Sequence, residues 1–113
     1  MKEELEFFDV SVLPWEPIEG SSGLSQRILA GQKDSPDHSR MLRFAPGTVT
    51  KETLAHDYWE EVWILEGSLH DIRLDQTFTA GMYACRPPGM PHGPWRAPEG
   101  CVTFEVRYRD RGD

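Results

Sequence analysis

Proline and glycine set the terms for this chain. Its 113 residues include nine Pro and ten Gly, spaced every few positions, so an α-helix of ordinary length has almost nowhere to run. Helical periodicity among the apolar residues is almost absent. The pieces between the breakers are short, rich in β-branched and aromatic side chains, and often alternating, which is the pattern of strands. The spacing predicts strands over 24–30, 40–45, 49–55, 60–66, 69–75, 82–86 and 101–109. The last alternates most plainly, with Val102, Phe104, Val106 and Tyr108 on one face and Thr103, Glu105 and Arg107 on the other. That is the signature of a half-buried strand. Short strands at this spacing fold as a sandwich or a barrel.

The length suits one domain with a single core, over 1–113, and no repeat or internal boundary divides it. The barrel core is expected over 40–109. Residues 1–20, where Pro14 and Pro17 bracket Trp15, read as an extended arm laid over the barrel. The stretch 31–39, GQKDSPDHS, reads as a polar loop with His38 in solvent. Twelve Lys+Arg against 19 Asp+Glu give a net charge of -7. Such a chain repels phosphate backbones, and with no basic cluster in sight a nucleic-acid partner is not expected. The first ten residues, MKEELEFFDV, carry acids where a signal peptide needs a basic start. No segment is long enough to cross a bilayer. The expected location is therefore the cytoplasm, with no membrane partner. Cys85 and Cys101 are too few for a disulfide scaffold and behave as small hydrophobes. The terminal Arg111-Gly112-Asp113 reads as a frayed tail, not an adhesion motif.

Chemistry concentrates where the longest apolar strand begins, in AHDYWEEVWILEG over 55–67. Residues two apart in a strand share a face, so His56, Tyr58, Glu60, Val62 and Ile64 point the same way. A buried ionised carboxylate is costly unless it is paired or bound to a metal. These residues alone leave three readings open. Glu60 pairs with an inward arginine, or the strand starts later and leaves it solvated, or it shares a cation with His56. Further on, residues 81–92 spell GMYACRPPGMPH, a G-x5-P-x-G-x2-H pattern. Proline and glycine so placed make a rigid turn that aims the residue after it, here His92.

Together with the Glu60-x6-Gly67 spacing, this pattern resembles the paired motifs of the cupin superfamily, over roughly residues 47–108. The resemblance implies an all-β jelly-roll β-barrel with a metal site inside. The family's ligands are two histidines in H-x-H, a glutamate shortly after, and a later histidine. On this chain they fall on His56, Glu60 and His92, while the first histidine position is Leu54, which cannot bind a metal. Gly47 lies one residue from the expected motif start, and the usual closing asparagine is Arg96. The implied cofactor is a divalent metal ion. Two His and one carboxylate favour Fe(II), with Mn, Zn or Ni as other candidates. Cupins that lose a ligand sometimes lose the metal, so a metal-free pocket stays open as a reading.

Around that site, Tyr58 is the candidate catalytic residue, as a proton donor or an extra ligand in place of Leu54, against the plainer role of a rim tyrosine. Leu54, Trp95 and Arg96 are expected in the pocket wall, with Arg96 or Arg86 anchoring an anionic substrate. His70 reads as a core or rim residue, and Trp63 as covered by the arm or by a second subunit. The resemblance implies a metal-dependent enzyme acting on a small molecule. A non-haem iron dioxygenase-like oxidoreductase, taking a small carbonyl or hydroxylated compound, leads. A lyase or isomerase of a small acid, and a non-catalytic sensory cupin like those attached to anti-sigma factors, are the alternatives. A homodimer is expected by the same resemblance.

Overall fold

The computed structural model describes residues 2–109. Met1 and residues 110–113, which include the Arg111-Gly112-Asp113 tail, lie outside the described residues. In chain order the strands are β1 (Glu16–Pro17), β2 (Leu24–Gly31), β3 (His38–Phe44), β4 (Thr48–Val49), β5 (Trp59–Asp71), β6 (Gln76–Thr79), β7 (Tyr83–Arg86), β8 (Trp95–Ala97) and β9 (Cys101–Tyr108). Every pairing is antiparallel. The strand β5 is the spine. Its first half lies between β9 and β7, its second half between β6 and β8, and the register with β9 shifts between Ile64 and Glu66 where it bends. The run β1-β2-β3-β9-β5-β7 forms one sheet and β4-β8-β5-β6 the other, curled together as the jelly-roll barrel that the strand pattern and the motifs imply.

Several boundaries differ from expectation, each for a local reason. The two strands expected over 60–66 and 69–75 are one strand, because Gly67 is not a turn. It keeps a φ of 76°, and the Gly100 carbonyl packs so close that a Cβ there would collide with it. The strand expected over 49–55 shrinks to Thr48–Val49, with Leu54 making only an isolated bridge to His92. In place of one extended arm over 1–20, residues 2–9 are exposed coil, Val10–Val12 form a 3-10 turn, and β1 adds an edge to β2. His38 is not in solvent. It opens β3 and is 1% exposed, because its ring Nδ1 lies 2.8 Å and 3.1 Å from the carbonyl oxygens of Ser35 and Gln32, which close the polar loop over it.

The interior divides into two ends. Leu42, Phe44, Ile64, Leu69, Trp95, Ala97 and Cys101 pack as an apolar cluster. Burial pushes the Cys101 thiol up to about 12, so it acts as a small hydrophobe. Toward the other end the same inward faces turn polar. On β3, His38 and Arg40 precede Leu42 and Phe44, and on β9, Thr103 and Glu105 follow Cys101, all buried. Arg40 places Nη2 at 2.8 Å and Nε at 2.9 Å from Glu105 Oε1, and Thr103 donates to Oε2 at 2.9 Å. The alternation of β9 is therefore inverted relative to an ordinary half-buried strand. Its polar face looks into the barrel, and Val102, Phe104 and Val106 look outward.

Candidate metal centre

Glu60 enters the barrel as the second residue of β5 and is 3% exposed. His92 follows the Pro87-Pro88-Gly89 turn, and two backbone bonds bind it to Leu54: Leu54 donates at 2.7 Å and His92 donates in return at 2.9 Å. The Gly89 amide donates to the His56 carbonyl at 2.8 Å. The turn thus sets the relative position of two histidines 36 residues apart in sequence. His56 Nε2 and His92 Nε2 each stand 3.9 Å from the same oxygen of Glu60, Oε1, and the candidate donor atoms of the three residues lie within 4.8 Å of one another. The imidazoles meet edge to face at 4.8 Å, and Tyr58 stacks on His56 at 4.0 Å. His92 Nδ1 faces the Met90 carbonyl at 3.4 Å, a long contact that still orients the ring so that Nε2 points inward.

Glu60 also has arginine partners. Arg107 Nε donates to Oε2 at 2.8 Å, and Arg86 Nη1 donates to Oε1 at 3.1 Å. Pairing with inward arginines and proximity to histidines therefore coexist. Burial alone would raise the Glu60 pKa, but the Arg107 and Arg86 charges more than offset it and hold the carboxyl below the usual range. Burial, seconded by the Arg86 charge, lowers the pKa of His92 and keeps its ring neutral. Burial also raises the pKa of Tyr58, which stays a phenol, with the Arg107 guanidinium 5.1 Å from its ring centre.

Do these residues suit a divalent cation? Ligand bonds of about 2.0–2.2 Å put neighbouring donors roughly 3.0–3.4 Å apart. The observed gaps are wider by about 1 Å, which side-chain rotation closes. His56 Nε2 is buried with no hydrogen-bond partner, an orphaned ring nitrogen 3.9 Å from Glu60 Oε1. An ionised carboxylate, a neutral imidazole and an unpartnered imidazole nitrogen fit a metal. His56, Glu60 and His92 would hold it.

The other expected residues separate. The site opens into a cavity of about 310 Å³ whose walls include Leu54, Arg86, Trp95 and Arg107. Leu54 is 49% exposed, at the rim, and Trp95 is buried. Arg96 is a correction. It lies on β8 between inward Trp95 and Ala97, so alternation turns it out to solvent and away from the wall. Arg86 takes the inward place. Sequence reasoning left out Arg107 and Arg40, although the alternation of 101–109 already put Arg107 on one face with Thr103 and Glu105. His70 stays outside the site, bonded to Thr77 Oγ1 at 2.9 Å and 3.2 Å from Asp75.

Comparison with curated proteins gives no match. Among solved structures, an RmlC-like cupin from Shewanella frigidimarina superposes with a TM-score of 0.74 at 23% identity, covering 99% of this chain and 96% of that one. An acetylacetone dioxygenase from Acinetobacter johnsonii gives 0.70 at 15% identity, over 93% of this chain and 73% of that one. The Rhodobacter sphaeroides SigE complex with the anti-sigma ChrR gives 0.66 at 19% identity, over 88% of this chain and 51% of that one. These likenesses concern the fold. A family model, the ChrR cupin-like domain, matches residues 3–109. That match spans nearly all of the described residues, and the chain belongs to the ChrR cupin-like family.

Proposed function

We propose that this chain is a metal-dependent enzyme of the cupin type, nearest in chemistry to the non-haem iron dioxygenases, acting on a small carbonyl or hydroxylated compound. One observation carries the reading: His56, Glu60 and His92 gather inside the barrel, with the His56 ring nitrogen unpartnered, beside a cavity of about 310 Å³. A bound cation supplies Lewis acidity there and, if it is iron, a redox couple. Fe(II) suits the donor set best, with Mn, Zn or Ni as the other candidates.

The chain's own groups do the rest. Arg107 fixes Glu60 through Oε2 and leaves Oε1 toward the histidines. Trp95 closes the inner wall and helps exclude water. Tyr58, a neutral phenol stacked on His56, would be the proton donor in this reading. The fold shared with an acetylacetone dioxygenase supports oxygen chemistry. The test is elemental analysis of protein purified without a metal-binding tag, followed by oxygen uptake against a panel of diketones and catechols. About one metal per chain, with oxygen consumed, is expected. Substrate loss without oxygen uptake would favour the lyase or isomerase reading instead.

The second reading is a sensory module. It is supported by the ChrR family model and by the fold shared with an anti-sigma factor that is seen in complex with SigE. Stoichiometric metal with no turnover of any panel compound is its expected result.

A further inference from the structure

A second cavity, of about 160 Å³, adjoins the metal cavity, and Val62, Leu69, Arg86, His92 and Trp95 form the wall between them. Beyond that wall its lining is mostly apolar, with Ile64, Phe78, Met82, Ala84 and Met90. Its other polar side chains are occupied. Asp71 Oδ1 accepts the Leu74 amide at 2.9 Å, and Arg73 donates to the Pro91 carbonyl at 3.3 Å. A cavity of roughly 150 Å³ lined by Leu, Ile and Phe takes a benzene ring, and this one, open to solvent on the side of Leu74, Met82 and Met90, has room for a phenyl group or a chain of a few carbons.

Arg86 sits in the dividing wall, its guanidinium 3.1 Å from Glu60 Oε1 and 5.4 Å from the centre of the Trp95 ring. The oxygen it holds is the one that faces both histidines, whereas Oε2 belongs to Arg107. A cation taken up between His56, Glu60 and His92 therefore competes with Arg86 for Oε1, while Arg107 keeps the carboxylate in place. Arg40, Arg86 and Arg107 are matched in number by Glu60, Glu105 and the buried Asp71 on the wall of the second cavity, so a cation taken up here would leave positive charge in excess. A guanidinium freed in a low-dielectric wall seeks a new anion, and a carboxylate or enolate matches its fork of donors.

We propose that the ligand of this site is a small monoanion bearing an apolar tail no larger than a benzene ring, with Arg86 recognising the anion and the second cavity seating the tail. The inference rests on the metal reading, so metal content is measured alongside ligand binding. The experiment titrates the full chain, metal-free and loaded with zinc, with phenylacetate, its neutral isostere phenylacetamide, and acetate.

Phenylacetate should bind the zinc-loaded protein at least tenfold more tightly than either other probe, and less tightly when zinc is removed. Arg86→Gln should abolish the preference for phenylacetate over phenylacetamide while zinc is taken up at least as readily as by the wild-type chain. Ala84→Leu, which fills the second cavity away from the metal, should weaken phenylacetate at least tenfold and leave acetate unchanged. Should Arg86→Gln fail to fold, the Ala84→Leu result and the charge-keeping Arg86→Lys, which should retain the preference, decide the matter. Equal affinity for phenylacetate and phenylacetamide, or a preference that survives Arg86→Gln, overturns the inference and leaves the metal reading standing. A chain that takes up no zinc overturns the metal reading itself.

Discussion

The two oxygens of Glu60 answer to different partners, and this division decides what single substitutions do. His92→Ala removes one of three donors while leaving Arg107 on Oε2. Metal affinity should fall on the order of 100-fold or more, with the fold intact, as elemental analysis and circular dichroism would read. Unchanged metal content would defeat the site assignment. Leu54→His should do the opposite and raise affinity, because the backbone at 54 is already bonded to His92. Weaker uptake would mean that the alignment of the histidine pair is shifted.

His38, at the start of β3, predicts a pH effect of its own. Burial holds its pKa below 6.5, as it does for His92. Just below pH 6.5 the unfolded chain therefore binds more protons than the folded one, and stability falls as pH drops through that window. The urea midpoint of metal-free protein should be lower at pH 5.5 than at pH 7.5, and His38→Gln should shrink the difference. At this scale the period of two along β5 turned Glu60 inward and the proline–glycine turn aimed His92. His56 and Tyr58, by contrast, lie in the coil and bend ahead of β5, where that period does not run, and His56 reaches Glu60 from there. Arg96 went wrong by parity, since neighbours Trp95 and Arg96 cannot both face into one barrel.

Among the elements, the neighbouring strands β3 and β9 are tied on their inward face by Arg40 and Glu105, which stand opposite each other in register. Arg40→Met strands a buried carboxylate and should cost about 3–5 kcal/mol of unfolding free energy, measurable by denaturant titration. A loss under 1 kcal/mol would mean that water reaches Glu105. The strand pattern was legible in β2, β3, β7 and β9 and over most of β5. It failed for β1, β6 and β8, of two to four residues, because so few positions carry no periodicity and only long-range pairing makes them strands. It also split β5 at Gly67, where close approach of the Gly100 backbone, not a reversal of the chain, is what requires glycine.

For the whole molecule the jelly roll followed from the density of breakers together with two motifs, whereas the N-terminal course did not. Trp63 is 49% exposed and the arm does not cover it. Its other expected cover, a second subunit, we retain as a proposal. Light scattering should give twice the 12.9 kDa chain mass, and a monomeric mass would refute it.

The inside-out strand β9 has a consequence for anyone substituting along it. Mutational sensitivity along its inward face should run opposite to custom: a swap that keeps size but loses the hydroxyl, such as Thr103→Val, disturbs the chain because Thr103 donates to the buried Glu105. A scan that scored hydrophobic positions as the sensitive ones would draw this barrel with its lining on the outside.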